Sequence, residues 1–253
     1  MKRCILILLS ILLLGFLSCT EEERDYTELV NVFIGTAGDG NTYPGASVPF
    51  GMVQLSPDTR SEGSHSYGSH YYPDSVILGF SHTHLNGVGE PEMRDILFMP
   101  FIDGDKQALL SQRGVSYNHM NETGEPGYYS VIFDNGVYAE LTVTGPCGFH
   151  RYSFPENEIP NVFIDLTHPG GAEDLYIRKV SDYKVEGMRR SHGWAYDQYV
   201  YFVAEFSLAI KEFLVSVNNE EFVLSNGDGA RDLQTILRFE PGNPDLLIKV
   251  EKN

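Results

Sequence analysis

The sequence predicts an all-β protein, a large antiparallel β-sandwich of two packed sheets. Beyond the first two dozen residues, no stretch of ten or more residues has a clean helical repeat. Short alternating or β-rich runs instead recur between clusters of Gly, Pro, Asn and Asp, and about a dozen such runs favour two sheets over one. A hydrophobic content of 42% is ample for the core of one domain of about 235 residues.

The clearest predicted strand is Val137–Thr144, in which every second side chain from Val137 onward is apolar and is expected to face the core. Two turns are predicted at Asp134-Asn135-Gly136 and Asn218-Asn219-Glu220, because Asn and Gly tolerate the left-handed conformations of tight turns. The other predicted strands are Gly51–Leu55, Val76–Phe80, Ile96–Phe101, Tyr128–Phe133, Val162–Leu166, Tyr183–Val185, Tyr199–Phe206, Phe213–Val217, Phe222–Leu224, Gln234–Phe239 and Leu246–Val250.

The first residues have the pattern of a bacterial lipoprotein signal. Lys2-Arg3 precedes an apolar run from Ile5 to Leu17, and Cys19 follows a small residue. We therefore expect a signal peptide at 1–18, lipidation of Cys19, an acidic tether at 19–28 and the sandwich domain at 29–253. The acids after Cys19 resemble the export signal of surface lipoproteins in Bacteroides-like bacteria, which predicts a membrane-anchored protein on the outer membrane. A plain secreted precursor and an uncleaved anchor are the alternatives.

The charge of the chain limits the classes of partner it can bind, and its cysteine content limits the roles of its thiols. The chain has 18 Lys and Arg against 35 Asp and Glu, and removal of residues 1–18 would take away two basic residues and no acid. Because such a surface repels phosphate backbones, nucleic acid is not an expected partner and a neutral substrate is favoured. With Cys4 in the signal and Cys19 lipidated, Cys147 is the remaining thiol, and we expect it to be a small buried side chain.

The densest group of polar residues lies between Gly79 and Asp95. His82 and His84 are two residues apart on an extended segment and are expected to point to the same side, but a pair of histidines is weak evidence for a metal site, so structural roles are favoured. Gly87-Val88-Gly89 predicts a tight turn and not a phosphate loop. Glu90, Glu92 and Asp95 carry carboxylates, but a glycosidase pair usually comes from elements that face each other across a cleft.

A second group of candidate residues lies in the loop from Asn31 to Ala46. The loop is rich in small residues, and loops of this length in a β domain often line a site. Aromatic rings stack on sugars, although in β proteins they are more often part of the core. The aromatic residues that could form the walls of a sugar site are Phe33, Tyr43, Tyr71, Tyr72 and Trp194.

A series of motifs runs in order along the chain from about Leu29 to the final strand. They are Val30–Thr36, Pro44–Thr59, Leu78–Leu85 with Gly87-Val88-Gly89, Pro126–Tyr129, Glu140–Thr142, Gly148–Pro155, and Gly193–Ala195 with Tyr201-Phe202. Together they resemble the N-terminal domain of glycoside hydrolase family 92, the calcium-dependent exo-acting α-mannosidases abundant in Bacteroides.

The resemblance implies a sandwich of the galactose-mutarotase-like supersandwich type that packs against a C-terminal (α/α)6 barrel, with a terminal mannose bound between the two domains. Family members invert the anomeric carbon, and the general acid, the aspartates that serve the water and the calcium ligands lie mostly in the barrel. No catalytic residue and no metal ligand is therefore expected in this chain, which we expect to be inactive without a barrel. The residues expected to contact a mannose-containing glycan are Phe33, Gly35, Tyr43, His82, His84, Gly89, Glu90 and Asp95.

The chain departs from the family pattern at two places. Met93-Arg94 precedes Asp95 where the family commonly has Tyr-Gly or Leu-Gly, and Gly145-Pro146-Cys147 stands where a basic residue is usual. Glu90 also occupies a position where some members present Trp to the leaving sugar, so we expect an altered linkage preference. The early end predicts a fragment, a truncated product or half of a split frame. A non-catalytic glycan-binding lipoprotein and an aggregation-prone remnant with an exposed barrel-facing surface are the alternatives.

Overall fold

The protein is described here from a computed structural model, which covers residues 24–60, 67–90, 92–103, 114–193, 195–218, 222–223, 226–242 and 245–253. The expected signal peptide, residues 19–23 of the tether with Cys19, and Trp194 lie outside these residues, as do Asn219 and Glu220 of the turn expected at Asn218-Asn219-Glu220. None of the helical segments in the described ranges has the length and hydropathy needed to span a bilayer.

The described residues form one short 3-10 helix, Tyr26–Leu29, and seventeen strands. The strands are β1 Ala46–Ser47, β2 Gln54–Asp58, β3 Val76–Ile77, β4 Gly79–Ser81, β5 Leu97–Phe101, β6 Val115–Glu125, β7 Tyr128–Phe133, β8 Tyr138–Val143, β9 Cys147–Ser153, β10 Asn161–Asp165, β11 Ala172–Ser181, β12 Lys184–Ser191, β13 Gln198–Phe206, β14 Glu212–Val217, β15 Gly227–Ala230, β16 Leu233–Arg238 and β17 Asp245–Lys252.

These strands form two antiparallel sheets, which confirms the predicted all-β sandwich. The smaller sheet has the order β1-β2-β4-β5-β10-β16-β14, and the larger has the order β15-β11-β12-β13-β17-β9-β8-β7-β6-β3. The last strand, β17, therefore lies inside the larger sheet, where Val250 pairs with Ala204 of β13 on one side and with Gly148 of β9 on the other.

The hairpin of β7 and β8 agrees closely with the sequence pattern. β7 has the predicted bounds, and Ala139, Leu141 and Val143 of β8 are buried as the alternation requires. The turn between them is also confirmed: Gly136 has φ +86 and its N–H donates to the Phe133 carbonyl at 2.9 Å. Only glycine adopts that φ without a steric cost.

Five strands were not predicted, namely β1, β6, β9, β11 and β15. β6 reads VSYNHMNETGE, and of its side chains only Val115 and Tyr117 are buried hydrophobics. β11 likewise buries only Leu175 and Ile177 and is interrupted by register shifts. In such strands the pairing with neighbouring strands outweighs a weak local pattern.

The core lies between the inner faces of the two sheets. Phe80 of β4 contacts Tyr129 and Phe133 of β7 and Tyr152 of β9, with ring centroids 6.2 to 6.3 Å apart. Full burial of one such side chain contributes about 1.5–3 kcal/mol. Cys147 is a free buried thiol at the start of β9, in agreement with its expected packing role.

Candidate functional site

Two loops singled out in the sequence contact a third one. We call residues 31–46, 58–74 and 82–95 the site loops; residues 61–66 and 91 within them lie outside the described ranges. The Gly87 N–H donates to the Asn41 carbonyl at 2.7 Å, and the Tyr72 N–H donates to the Thr36 carbonyl at 2.9 Å. The fold thus brings together segments far apart in the chain.

A buried carboxylate, Asp58, connects two histidines. His84 Nε2 lies 2.9 Å from Asp58 Oδ1, and His168 Nε2 lies 2.6 Å from Asp58 Oδ2. The Ser81 hydroxyl donates to Oδ1 at 3.1 Å. The other ring nitrogen of His84, Nδ1, lies 2.9 Å from the Gln54 carbonyl. Because both nitrogens of His84 face acceptors, both must carry protons for the two contacts to be hydrogen bonds.

The hydrogen bonds of the Asp58 cluster favour the ionised form of Asp58. Burial alone would raise the pKa of Asp58, but the hydrogen bonds from His168 and His84 outweigh it and hold that pKa well below its ordinary value. Tyr43, a predicted sugar contact, lies against this cluster, with its ring centroid 5.0 Å from that of His84. Of these two predicted site residues, Tyr43 is half-buried and His84 is buried.

A second buried carboxylate, Asp95, pairs with Arg189 of β12. Arg189 Nη1 donates to Oδ1 at 3.1 Å, while the Thr83 hydroxyl and Gln198 Nε2 donate to Oδ2 at 2.7 and 3.1 Å. Arg189 also donates to the carbonyls of Leu166 and Gly170, and burial lowers its pKa. The predicted site residue Asp95 thus holds the 82–95 loop against the larger sheet.

The backbone beside Asp95 is strained. Met93, Arg94 and Ile96 have φ of +68, +57 and +60, a conformation that costs a non-glycine residue about 1–2 kcal/mol. Arg94 stands where the family pattern commonly has Gly, and its side chain is buried, donating to the Arg60 carbonyl at 2.9 Å. Burial lowers the pKa of Arg94. Arg94 therefore adds a buried cation to this strained segment.

His82 points into the core and away from His84, contrary to the expectation that the two share a side. Its Nδ1 donates to the Ile96 carbonyl at 2.7 Å, so its Nε2 accepts from His150 Nε2 at 3.0 Å. His150 Nδ1 in turn accepts from the Tyr152 hydroxyl at 2.7 Å. Burial lowers the pKa of His82 to about 3 and that of His150 well below its ordinary value. His82 therefore has no surface to offer a ligand in this structure.

Gly89 and Glu90 lie at the exposed tip of the third site loop. Gly87, with φ +69, makes the predicted tight turn before them. Burial, with a further contribution from Glu90, raises the pKa of Glu92. The Glu92 carboxyl lies over Gly193, where a Cβ would come within 2.1 Å of it. The acidic tip thus contacts the loop between β12 and β13.

Phe33 and Gly35 line a cavity of about 410 Å³. Tyr72 also lines it, stacked on His119 with ring centroids 4.2 Å apart, while Phe33 meets Tyr72 edge-on at 5.9 Å. Glu122 of β6 completes the cavity. Of the eight predicted glycan contacts, these two therefore share a concave surface.

Glu122 is held by three donors. The Tyr129 hydroxyl and His70 Nε2 lie 2.6 and 3.1 Å from Oε1, and His119 Nδ1 lies 2.7 Å from Oε2. Burial would raise the pKa of Glu122, but hydrogen bonds from His70, Tyr129 and His119 outweigh it and lower that pKa. His119 Nε2 is buried without a partner among the described residues.

Sequence reasoning missed several of these polar residues, namely Asp58, His168, His119 and Glu122. His168 is 110 residues from Asp58, and Arg189 is 94 residues from Asp95. Only Asp58 lay in a segment already singled out, at the end of the Pro44–Thr59 motif. The other residues lie on strands or directly after them, and the order of strands in the sheets brings them close to their partners.

The buried carboxylates do not fit a calcium site. Calcium takes six to eight oxygen ligands, whereas Asp58, Asp95 and Glu122 each face His, Arg or Gln donors. Across the described ranges, no group of three or more His, Cys, Asp or Glu side chains is arranged to hold a metal ion.

A second concave surface lies on the outer face of the larger sheet. It has a volume of about 630 Å³ and is mainly apolar, with Phe149 and Leu247 among its lining residues. Glu140 and Arg151, which form an ion pair, and Lys249 also line it.

Comparison with known proteins identifies the family. Residues 29–250 match the profile of the glycosyl hydrolase family 92 N-terminal domain. A family 92 α-mannosidase from Bacteroides thetaiotaomicron, solved with mannoimidazole, superposes with a TM-score of 0.82 and 30% identity over 91% of this chain and 32% of its own. A family 92 inverting mannosidase from the same organism gives 0.78 and 27% over 92% and 32%.

A curated relative is also named a glycosidase. An uncharacterized secreted glycosidase of Arthroderma benhamiae is 34% identical over 173 residues, which are 62% of this chain and 22% of that protein. The chain thus spans about a third or less of the relatives it matches. On the family profile, the fold and these structures, the chain belongs to glycoside hydrolase family 92, of which it comprises the N-terminal domain.

Proposed function

We propose that this chain is the N-terminal domain of a surface α-mannosidase that removes terminal α-linked mannose from glycans. In this proposal the site loops shape one wall of the substrate cleft, and a C-terminal (α/α)6 barrel supplies the acid, the base and the calcium ligands. The observation that carries the proposal is the state of the buried carboxylates: Asp58, Asp95 and Glu122 are all engaged by protein donors.

An inverting glycosidase needs a protonated acid and a separate base on opposite faces of the sugar, about 6.5–9.5 Å apart. Carboxylates whose pKa is lowered, such as Asp58 and Glu122, are poor proton donors at neutral pH. Glu92, with its raised pKa, is the better proton donor. The nearby carboxylate of Glu90 belongs to the same loop tip, however, whereas the base is needed on the opposite face of the sugar. Because these carboxylates already have protein partners, they favour a role for this chain as one wall of the cleft and not as a complete catalytic centre.

Exposed apolar side chains support docking of a second domain. Ile34, Phe50 and Met52 are all exposed, with Ile34 at 73% and Phe50 fully so. Met52 lies beside the end of β17, because its carbonyl accepts a hydrogen bond from Lys252 Nζ at 3.1 Å. Phe50 and Met52 are two residues apart, and neighbouring exposed apolar side chains are typical of an interaction surface.

Hydrolysis by the chain alone and by a fusion tests the proposal. The chain alone, given aryl α-mannosides or α-mannobioses with calcium, is expected to show no turnover. Fusion to the barrel region of the Bacteroides thetaiotaomicron relative is expected to give calcium-dependent hydrolysis. Turnover by the chain alone that is lost in Glu92→Gln would contradict the proposal and identify Glu92 as the acid.

The proposed location on the outer membrane is supported by the signal pattern, and the secreted relative supports export in general. Replacement of the lipid acceptor, Cys19→Ser, is expected to move the protein from the membrane fraction to the soluble fraction. Protease treatment of intact cells distinguishes a surface from a periplasmic position. Retention of Cys19→Ser in the membrane fraction would rule out the lipid anchor.

The alternative function, a non-catalytic mannoside-binding lipoprotein, is favoured by one observation. The cavity beside Phe33 and Gly35 combines aromatic walls with a polar floor formed by this chain alone. Mannoside binding with no activity in the barrel fusion would favour this alternative.

A further inference from the structure

We propose that the outer face of the larger sheet is the interface of a symmetric dimer whose partner is a second copy of this chain. The inference goes beyond the proposed hydrolysis and does not depend on it. The face is centred on β17, which has β9 and β8 on one side and β13 and β12 on the other. The concave surface of about 630 Å³ described above lies on this part of the sheet.

Exposed apolar side chains are grouped on this face. Every second side chain of β17 is buried in the core, so the alternation turns Leu247 outward, where it is 51% exposed. Leu247 and Phe149 both line the concave surface. On β13, Tyr199 and Tyr201 are each 46% exposed, and their stacked rings have centroids 6.5 Å apart. A group of exposed apolar side chains is typical of an interaction surface.

The charged side chains at the centre of this face form ion pairs, which favours a second copy as the partner. The whole chain has a net charge of −17, so two copies repel each other wherever acidic residues are in excess. On this face the carboxylates are instead neutralised by cations. The four ion pairs are Glu140–Arg151, Glu205–Lys184, Glu186–Arg178 and Glu251–Lys249. A second copy of the acidic chain therefore meets little repulsion here.

The arrangement of these charges is self-complementary. Arg151 of β9 and Glu205 of β13 flank β17 on opposite sides. A two-fold axis along β17 places β9 of one protomer over β13 of its partner, and β8 over β12. Arg151 then faces Glu205 of the partner subunit, and Glu140 faces Lys184 of the partner subunit. Both contacts join opposite charges, and the symmetry forms each of them twice.

The spacing of the charges fits this contact. Arg151 is paired with Leu247 and Glu205 with Lys249, so their levels along β17 differ by two residues, about 7 Å. Long side chains span such a step between sheets packed about 10 Å apart. Lys249 comes close to its own copy across the axis, but Glu251 of the same strand compensates its charge at 3.2 Å.

The size of the face predicts a weak dimer. Five strands spaced by about 4.8 Å, overlapping over about seven residues, give a face of roughly 20 by 23 Å. An interface of this size lies at the small end of specific interfaces, so we expect a Kd of about 10 µM.

Sedimentation velocity at protein concentrations below and above this Kd tests the proposal. We expect a reversible monomer–dimer equilibrium. Leu247→Asp places a carboxylate of each copy near the axis and is expected to weaken association about tenfold or more. Val223→Asp is the matched control, because Val223 is 53% exposed and pairs with Val215 at the edge of the smaller sheet. This variant should associate like the unaltered chain.

A charge exchange tests the symmetry. Arg151→Glu places a carboxylate against Glu205 of the partner subunit and is expected to weaken association about tenfold. Adding Glu205→Arg restores opposite charges between the copies, although within each copy the exchanged residues then repel Glu140 and Lys184. Association regained in the double variant therefore reports the contact between copies and not the stability of the fold. Lys211→Glu, which breaks an exposed ion pair beside β14 of the smaller sheet, is the matched control.

Four results would overturn the proposal. The first three are a monomer at every concentration, association that Leu247→Asp and Arg151→Glu leave unchanged, and a double variant that associates no better than Arg151→Glu alone. The fourth is a barrel fusion that stays monomeric although the chain alone dimerises, since the second domain would then cover this face. A fusion that dimerises and remains sensitive to Leu247→Asp supports the second copy.

Discussion

His82 and His84 are two residues apart, yet each belongs to a buried cluster of a different kind. His84 joins the charged cluster around Asp58, with His168 as the second partner. His82 joins a neutral chain that runs through His150 to the Tyr152 hydroxyl. The difference shows that the partner atoms of a buried imidazole depend on the element it packs against and not on its neighbours in sequence.

The largest expected effect follows from removing the charge of the Asp58 cluster. Asp58→Asn leaves two histidines without their carboxylate, and breaking a buried charge pair costs about 3–5 kcal/mol. We expect a loss of this size in the free energy of unfolding, measured by denaturant titration. A loss below about 1 kcal/mol would show that the cluster is not charged and would remove its contrast with the His82 chain.

Acidification should destabilise both clusters, but in different pH windows. The pKa of His82 falls from 6.5 in the unfolded chain to about 3 in the folded one. The unfolded state therefore binds more protons between these values, and stability falls as pH decreases from 6.5 toward 3, by about 2 kcal/mol at pH 5 for this one imidazole. The pKa of Asp58 is lowered from 3.8, so its contribution is lost only as pH falls below 3.8.

Denaturant titrations from pH 7 to pH 3 check these windows. In Asp58→Asn the loss below pH 3.8 should shrink, while the loss between pH 6.5 and 5 should remain. Stability that does not change between pH 7 and pH 5 would contradict the neutral assignment of His82.

A smaller effect is expected at the end of the neutral chain. Tyr152→Phe removes the hydroxyl that donates to His150 Nδ1 and leaves a buried acceptor unpaired, at a cost of about 1–2 kcal/mol. The same variant should shift the imidazole signals of His150 and, through it, of His82. Unchanged stability and unchanged signals would mean that the three groups are not connected as described.

The smallest effect is expected for an ion pair at the surface. Asp197 pairs with Arg190 at 2.8 Å, but both side chains are about one-third exposed. Exposed pairs are screened by water and salt, so Asp197→Asn should leave the denaturation midpoint unchanged within error. A loss comparable to that of Asp58→Asn would abolish the distinction between buried and exposed pairs.

The sequence predicts the fold better than the site, for a physical reason. Side-chain alternation in β8 is a local property, and so are the turn residues at Asp134-Asn135-Gly136. The site depends on distant partners: His84 meets Asp58 across 26 residues, and His168 meets it across 110. Alternation also predicted that His82 and His84 point the same way, but β4 ends at Ser81, and the rule does not hold beyond the strand.

The position of β17 has a consequence for biosynthesis. Until its residues leave the ribosome, β9 and β13 present two unpaired edges in the middle of the larger sheet, and open edges recruit other chains. Completion of the sheet must therefore wait for the last strand of the domain, and pairings this distant in sequence form slowly. We therefore expect the nascent domain to be most prone to aggregation before that strand is inserted.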